Sequence, residues 1–307
     1  LADLATVEMH AIQTSGNCIR NTTSDQFAGV AHDELIDPRP YAELIRQWST
    51  FHPEFAYLPR KFKIAVNGAV EDRACTLFHD IGGGLGRTPI LGHVIRENLP
   101  REHLFTYLDA ILRVYNRFGR RDNMYKARIK ILVKELGLAK FTAEVEAEWA
   151  HLKDGPSTLT QAEIDRVAAF FIDPVYESLP AANAEFEKYQ LESKAFARWV
   201  ERNVFGHKKP GYAAVTLSLK KTGMAPGDAT DAQLDAVADL ADRYSFGEVR
   251  VSHEQNLILA DVKKADLFEV WQSAKEIGFA TPNIGLLTDI IACPGGDFCS
   301  LANAKSI

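Results

Sequence analysis

The spacing of apolar residues in the first half of the chain is helical. Between Arg101 and Gly119, and again between Asn123 and Gly137, apolar residues recur three or four positions apart. Residues with this spacing share one face of a helix, so the pattern predicts two amphipathic helices. Thr160 and Thr230 each stand three residues before a Glu or Gln. This is the capping-box arrangement, and it predicts that a helix begins at each threonine.

The second half carries a different pattern, in which short β-rich runs alternate with helical ones. The predicted elements are a strand in Tyr212–Leu219, a helix in Ala232–Tyr244, a strand pair in Glu248–Ser252 and Asn256–Ala260, and a closing helix in Ala265–Ile277. The order strand, helix, strand, strand, helix indicates a small ferredoxin-like α+β half-domain.

Two further segments matter for organisation. The run Ile284–Ile291 is apolar and predicts a buried strand, which would place the cysteines that follow it where α/β folds often bind ligands. The polar residues 152–158 and the charged residues 181–194 read as a connection between two structural units.

Composition narrows the class of protein. With 307 residues, 46% of them hydrophobic, the chain is long enough for two or more units with buried cores. A net charge of −6 argues against a nucleic-acid partner, which requires a basic surface. No run approaches the roughly 20 apolar residues that span a bilayer, and the N-terminus lacks a basic segment followed by an apolar one, so we expect no membrane partner and a cytoplasmic location.

Cysteine chemistry is concentrated near the end of the chain. Cys293 and Cys299 flank a Pro-Gly-Gly turn, and thiolates in such a loop suit zinc or an iron–sulfur cluster. Two small buried residues in a glycine-rich turn are the alternative. Because the chain starts at Leu1 and ends eight residues after Cys299, we expect an internal fragment of a longer protein.

Three groups of cations stand out in this acidic chain. Residues 113–134 hold eight Arg and Lys side chains, which form either a solvated helix face or a site for a polyanion. In Leu58-Pro-Arg-Lys-Phe-Lys-Ile64, strand alternation puts Lys61 and Lys63 on one face, where their repulsion costs stability unless an anion lies between them. Arg20 is a candidate third contributor.

The glycine-rich run Gly82–Thr88 resembles a loop that holds phosphate, but it has neither P-loop nor dinucleotide spacing. A tight turn before a helix in Ile90–Arg96 is the alternative reading.

Taken together, five motifs resemble those of the sirohaem-dependent nitrite and sulfite reductases, and they occur in the same order. They are Gly16-Asn-Cys-Ile-Arg-Asn21, Leu58-Pro-Arg-Lys-Phe-Lys63, Gly83-Gly-Leu-Gly-Arg-Thr-Pro89, Arg250-Val-Ser-His-Glu-Gln-Asn256 and Ala292-Cys-Pro-Gly-Gly-Asp-Phe-Cys-Ser-Leu-Ala302. The resemblance covers nearly the whole chain, and its second and fifth motifs are specific.

The resemblance implies an α+β fold, in which ferredoxin-like half-domains and α/β sirohaem-binding domains form a pseudo-two-fold repeat that is truncated here at both ends. The implied domains are 1–6, the tail of a first half-domain; 7–172, a sirohaem- and substrate-binding α/β domain; 173–195, a connection; 196–280, a second half-domain; and 281–307, the start of a domain that binds the [4Fe-4S] cluster and sirohaem.

The resemblance also implies roles for particular residues. Arg20, Lys61 and Lys63 would bind nitrite or sulfite and supply protons. Cys293 and Cys299 would ligate a [4Fe-4S] cluster whose other two cysteines are expected beyond residue 307. Sirohaem would contact Asn21, Gly83, Gly84, Gly86, Arg87, Thr88, Lys126, Arg128, Lys130, Gln255 and Asn256. Electrons for a multi-electron reduction would come from ferredoxin or a flavoprotein reductase subunit.

The chain departs from the family pattern at three places. The C-x3-C pair of the cluster is absent, the half-domain with a further active-site arginine is expected before Leu1, and His79-Asp-Ile-Gly82 runs directly into Gly83 where an intervening strand is expected. These departures leave two alternatives: a non-catalytic homologue that acts as a binding or scaffold protein, and a structural zinc domain built on Cys293 and Cys299.

Overall fold

A computed structural model of the chain describes residues 2–7, 9–76, 81, 83–84, 89–300 and 302–306. Its internal contacts divide the chain into two units. Unit 1 comprises Leu1–Asp25 and Ile36–Ile172, and unit 2 comprises Gln26–Leu35 and Asp173–Ile307. Both units combine helices with strands, which confirms the predicted α+β class.

Unit 1 is mostly helical, with one short sheet. Its helices are α1 (Ala2–Thr6), α2 (Arg39–Thr50), α3 (Leu104–Phe118), α4 (Ile129–Leu136), α5 (Leu138–Leu152) and α6 (Gln161–Ala168). Its strands, β1 (Ile19–Thr23) and β2 (Phe62–Ala65), pair in parallel.

Helices α3 and α4 confirm the two helices that apolar spacing predicted. The buried face of α3 includes Ala110, Leu112 and Val114, none of which exposes measurable surface. A core of this kind is expensive to disturb, because truncating a large buried side chain costs about 2–5 kcal/mol. Helix α4 ends at Gly137, whose φ of 78° is easy only for glycine.

Both predicted caps are present. The Thr160 side chain accepts a hydrogen bond from the backbone N of Glu163 at 3.3 Å, and α6 begins at the next residue. The box at Thr230 is reciprocal, because Gln233 Oε1 also accepts from Thr230 N at 2.9 Å.

The helix predicted in Ile90–Arg96 is wrong. Gly84 and Ile90 exchange two backbone hydrogen bonds of 2.9 and 3.0 Å, and His93 N donates to Ile81 O at 3.1 Å. A helix over 90–96 would need the carbonyl oxygen of Ile90 for the amide four residues later, but here this oxygen accepts from Gly84 N. Of the glycine-rich loop, Gly83 and Gly84 are described; Gly82, Leu85, Gly86, Arg87 and Thr88 lie outside the described residues, as do residues 77–80.

Unit 2 is built on a four-stranded antiparallel sheet of order β3-β4-β6-β5. Its strands are β3 (Val204–Gly206), β4 (Tyr212–Leu217), β5 (Val249–Val251) and β6 (Leu257–Lys263), and its helices are α7 (Ala184–Glu192), α8 (Lys194–Asn203), α9 (Asp231–Tyr244) and α10 (Leu267–Glu276). The succession β4, α9, β5, β6, α10 confirms the predicted half-domain order.

The central strands β4 and β6 are buried on both faces, which explains their nearly continuous apolar sequence. On one face, Phe196 and Trp199 of α8 lie in the main core of unit 2. The other face is covered by Gln26–Leu35, a segment that unit 2 takes from the first part of the chain. Its Phe27, Val30 and Ala31 form a second apolar cluster with Ala214, Ile258 and Ala260.

A buried polar group accompanies this sheet. His207 Nε2 lies 3.1 Å from Asp261 Oδ1, and Tyr176 Oη donates to the same oxygen at 2.6 Å. His207 Nδ1 accepts from Lys209 N, so Nε2 carries the proton. Burial acts to raise the pKa of Asp261, but the hydrogen bonds from His207 and Tyr176 outweigh burial and lower it.

The buried strand predicted for Ile284–Ile291 is wrong. This segment forms a single 3-10 turn, Leu287–Asp289, and most of its apolar side chains are exposed. Its backbone is held by polar side chains and turns at Gly285, where φ is 74°, so it does not extend along a sheet.

The domain boundaries given in the sequence analysis stay a prediction. Residues 173–195, read there as a connection, belong to unit 2 and contain helix α7. In the described part of the chain, no helix is long and apolar enough to cross a lipid bilayer.

Candidate active site

The parallel pairing of β1 and β2 brings two of the three cation motifs together in unit 1. Ile19 lies opposite Phe62 and Asn21 opposite Lys63, with a bulge between Ile19 and Asn21. Ile19 and Phe62 are buried, 2% and 8% exposed, and anchor the strands on the core. Arg20 lies in the bulge, so its position next to the Lys61–Lys63 segment follows from the strand register.

Lys61 lies among other cations, and its pKa is lowered. Burial lowers its pKa first, and four neighbouring charges lower it further, in the order Arg128, Arg20, Lys63 and Arg60. All four are cations, which disfavour an additional positive charge. The structure therefore brings Arg20, Lys61, Lys63 and Arg128 into one positive cluster, here called the cation cluster.

Tyr115, on the buried face of α3, connects two of the three chain segments that supply this cluster. Its hydroxyl lies 2.8 Å from the carbonyl oxygen of Ala127 and 3.3 Å from that of Arg60. The side chain has no exposed surface. Because Arg60 and Ala127 directly precede Lys61 and Arg128, this hydroxyl holds the spacing of two cluster members.

The basic run 113–134 divides into two parts with different roles. Its first part forms ion pairs: Arg113 with Asp109 at 2.9 Å, Arg117 with Glu148 at 2.5 Å and Arg120 with Asp122 at 2.6 Å. For these arginines the solvated, ion-paired helix face is the correct reading. Glu148 lies on α5, far from Arg117 in sequence, so the basic run itself did not indicate this ion pair.

In its second part, Arg128 lies near Lys61, and Lys130 lies next to Gly84. Lys126 is exposed, Arg128 is half-buried and Lys130 is 6% exposed. Burial, and then the charge of Arg128, lower the pKa of Lys130. A Cβ added to Gly84 would lie 3.6 Å from Lys130 Cδ, so Gly84 and this lysine are neighbours.

The cysteine loop belongs to unit 2. Cys293 is exposed and Cys299 half-buried, and both are free thiols. The 3-10 turn Gly295–Asp297 separates them, and Cys299 N donates to Gly295 O at 2.9 Å, which closes the loop. Two thiols on one closed, accessible loop fit two ligands of an iron–sulfur cluster. Among the described residues, no group of three or more His, Cys, Asp or Glu side chains could hold a metal ion.

Gln255 and Asn256, predicted to bind cofactor, use their side-chain amides within the chain. Gln255 exchanges two hydrogen bonds with the backbone of Ala292, at 2.8 and 3.0 Å. Asn256 donates to Asp289 Oδ1 at 3.0 Å and accepts from Leu219 N at 3.2 Å. Their cofactor contacts stay a prediction, and the contacts seen here support the approach to Cys293.

The described residues thus combine an α+β fold, a cation cluster in unit 1 and an accessible pair of cysteines in unit 2. Residues 15–82 and 81–153 match the sequence profile of the nitrite and sulphite reductase 4Fe-4S domain, and residues 206–277 match that of the nitrite/sulfite reductase ferredoxin-like half domain. These ranges cover more than half of the chain. The chain belongs to the nitrite and sulfite reductase family.

Relatives of both substrate types are similar to it. It is 26% identical to the chloroplastic ferredoxin–nitrite reductase of Arabidopsis thaliana, over 98% of this chain and 50% of the relative. It is also 26% identical to sulfite reductase [ferredoxin] 1 of Mycolicibacterium paratuberculosis, over 99% of this chain and 51% of the relative. The chain thus spans about half the length of these curated relatives.

The solved structure of the Mycobacterium tuberculosis NirA protein is similar, with a TM-score of 0.69 and 25% identity over 99% of this chain and 52% of that one. This similarity and the half-domain match confirm the predicted fold class. The two profile segments meet at residues 81–82, where the sequence analysis expected an intervening strand. The alignment to the Arabidopsis enzyme runs over 329 positions, more than the 307 residues of this chain, so it contains positions with no counterpart here.

Family membership implies sirohaem and a [4Fe-4S] cluster, and the described residues fit both. The cation cluster suits the carboxylates of sirohaem, because repulsion among its members is relieved by anions. As a ligand of the [4Fe-4S] cluster, Cys18 is a poorer candidate than Cys293 or Cys299. It is buried, and burial raises the pKa of its thiol although Arg20 acts against this. Cys293 and Cys299 are the accessible pair, and they lie outside all matched ranges, so their role stays a prediction.

Proposed function

We propose that the whole protein is a sirohaem- and [4Fe-4S]-dependent reductase that converts nitrite to ammonia or sulfite to sulfide in a multi-electron reaction. The observation that carries this proposal is the cation cluster, which lies within the residues that match the family profile. Three cations around the partly buried Lys61 favour a small anion or a carboxylate-rich cofactor over any neutral ligand.

The proposed roles follow from the chemistry of each side chain. The guanidinium of Arg20 offers several N–H donors in one plane, so it binds and orients the oxyanion. Lys61 and Lys63 stabilise negative charge and donate protons as oxygen leaves. The lowered pKa of Lys61 makes its ammonium a stronger acid than an ordinary lysine. When bound, sirohaem supplies the iron at which the anion is reduced.

The remaining predicted contacts are proposed with this chemistry. Arg87, Lys126, Arg128 and Lys130 would pair with sirohaem carboxylates, and Asn21, Gly83, Gly84, Gly86 and Thr88 would contact the cofactor through hydrogen bonds. Cys293 and Cys299 would provide two of the four thiolates of the cluster. We propose ferredoxin as the electron donor, as the names of the relatives suggest, with a flavoprotein subunit as the second candidate, and the cytoplasm as the location.

The proposal is tested with Lys63→Ala in the full-length protein. Turnover with reduced ferredoxin and either nitrite or sulfite should fall sharply while the sirohaem absorption spectrum is retained, because the lysine acts on the anion. The matched control is Lys140→Ala, an exposed lysine of α5, which should keep wild-type turnover. Unchanged turnover in Lys63→Ala would refute the assigned role.

The cluster assignment has its own test. Cys299→Ser in the full-length protein should lower the iron and acid-labile sulfide content, and an unaltered content would contradict the assignment. A full-length protein that binds neither sirohaem nor iron would favour the non-catalytic alternative.

A further inference from the structure

The segment from Asn283 to Ala292, here called the arm, leads into Cys293 without the usual hydrophobic support. Leu287, Ile290 and Ile291 are 87%, 63% and 55% exposed, so burial of the arm's own apolar side chains does not hold it. Polar side chains from the end of β4 and from the β5–β6 turn hold it instead.

The centre of this support is Lys220, which follows β4 and is 4% exposed. Its ammonium donates to Asp289 Oδ1 at 2.6 Å, to Asp289 O at 3.0 Å and to the carbonyl oxygen of Glu254. An ammonium has three N–H donors, so all of them are used. The side chains of Lys220 and Asp289 are 2% and 6% exposed, and burial of both charges is tolerable only because they are paired and hydrogen-bonded.

Asp289 is held by more than the lysine. Asn256 Nδ2 donates to Oδ1 at 3.0 Å, and Gly285 N donates to Oδ2 at 3.1 Å. The carboxylate therefore ties β6, which begins after Asn256, to two places in the arm. Asn256 is itself fixed, because its Oδ1 accepts from the backbone N of Leu219 at 3.2 Å.

The two ends of the arm are held in the same way. At the start, Asn283 accepts from Ser218 Oγ at 2.7 Å and donates to the carbonyl oxygen of Lys220 at 3.3 Å. At the end, Gln255 exchanges its two hydrogen bonds with Ala292, whose carbonyl joins directly to Cys293. The half-domain thus fixes the chain up to the residue before the thiol.

We propose that Lys220 is a positioning residue: with Asp289 it locks the arm and thereby sets where Cys293 presents its sulfur to the [4Fe-4S] cluster. The role of Cys293 rests on the proposed function, whereas the lock is a property of this chain and can be tested separately. A cluster ligand needs a fixed direction, because displaced ligands change the electronic environment and the lifetime of the metal site.

The first experiment measures backbone hydrogen exchange of the full-length protein by mass spectrometry. Lys220→Met should accelerate exchange in residues 283–292 by about tenfold or more, because the amide of Gly285 donates to the carboxylate that the lysine holds. Exchange in β6 serves as the internal measure of folding, and Lys221→Met, at the exposed neighbouring position, is the matched control. Wild-type exchange in the arm of Lys220→Met would overturn the proposal.

A buried Asp289 without its partner could unfold the protein, so the double variant Lys220→Met/Asp289→Leu is measured as well. Replacing both charges with apolar side chains removes the uncompensated charge, which usually preserves folding. The double variant should also show fast exchange in the arm with protected exchange in β6, since the bonds from Asn256 and Gly285 are lost too.

The second experiment asks whether the lock reaches the cluster. In the holoprotein, both variants should release iron to a chelator several-fold faster than wild type and should shift the electron paramagnetic resonance spectrum of the reduced cluster. Fast exchange in the arm with wild-type iron release and an unaltered spectrum would make the lock purely structural and overturn the proposal. If the wild-type protein holds no cluster, the proposed function fails instead, and hydrogen exchange still decides whether Lys220 locks the arm.

Discussion

Replacing Tyr115 with phenylalanine tests whether the spacing of the residues in the cation cluster matters, because it changes a support of the cluster and none of its charges. The substitution removes one oxygen and no charge, and it leaves the ring in the core. The hydroxyl lies 2.8 Å from the carbonyl of Ala127 and 3.3 Å from that of Arg60. Its loss frees both segments from their common support, so Lys61 and Arg128 can move apart under their mutual repulsion.

The expected magnitude follows from the burial of these groups. A lost hydrogen bond costs about 0.5–1.5 kcal/mol, and a buried carbonyl left without a partner costs about 1–3 kcal/mol. Ala127 is 1% exposed, so water does not readily replace the hydroxyl. We therefore expect Tyr115→Phe to lower the free energy of unfolding by about 1–3 kcal/mol in urea titrations.

Tyr107→Phe is the matched control. Tyr107 lies on the same helix and is 5% exposed, and its hydroxyl donates to Glu146 at 2.8 Å, not to a chain segment that carries a cluster residue. Both variants should lose stability. Sulfate is the anion probe, because an anion that binds the folded state raises the melting temperature by mass action.

The rise in melting temperature that sulfate causes should be half of the wild-type rise or less in Tyr115→Phe. In Tyr107→Phe it should equal the wild-type rise. The reasoning is refuted if Tyr115→Phe unfolds with the wild-type free energy, or if sulfate stabilises it as strongly as the wild type.

Three further predictions concern charge and capping. Arg128→Met should raise the pKa of Lys61, measured by NMR of its ammonium, because the substitution removes the cation that lowers this pKa most. The control Lys126→Met should leave the pKa of Lys61 unchanged. Equal effects of the two substitutions would contradict the cation cluster. The lowered pKa of Asp261 contributes stability that is present above its unfolded pKa of about 3.9 and is lost as pH falls through the lower folded value. Asp261→Asn should therefore lose less stability than the wild type as pH falls through this range. An equal loss in the two proteins would disprove this. Thr230→Ala should lower the free energy of unfolding by about 1 kcal/mol, and an unchanged urea midpoint would count against the capping box.

Local patterns predicted the parts of the fold in which local and tertiary interactions agree. Helix α3 has an apolar stripe that meets a core, and Thr230 caps α9 with atoms only three residues away. Strands β4 and β6 are almost continuously apolar because both of their faces are covered. In each case the residues that decide the structure are neighbours in sequence or share one periodic face.

The failures occurred where distant polar partners decide the structure. The arm looked like a strand, but buried bonds from Lys220 and Asn256 to Asp289 hold it in a turn. The partner of Arg117 is Glu148, 31 residues away, so its ion pair was not visible in the basic run. A lysine directly after a buried apolar strand was the one signal that could have pointed to Lys220, because an unpaired charge is not stable there.

The segment Gln26–Leu35 has a consequence for dissecting the protein. Unit 2 takes these residues from within the sequence of unit 1, so the polypeptide passes between the units at three points, residues 25–26, 35–36 and 172–173. After cleavage by a protease at Ile172, the N-terminal fragment would still supply Gln26–Leu35 to the core of unit 2. The two fragments should therefore co-purify. A gene split at the same point would give a C-terminal product without Phe27, Val30 and Ala31, and its sheet would expose Ala214, Ile258 and Ala260 until the N-terminal product restored the missing layer. The two products of such a split gene would have to be expressed together in one cell for unit 2 to have its complete core.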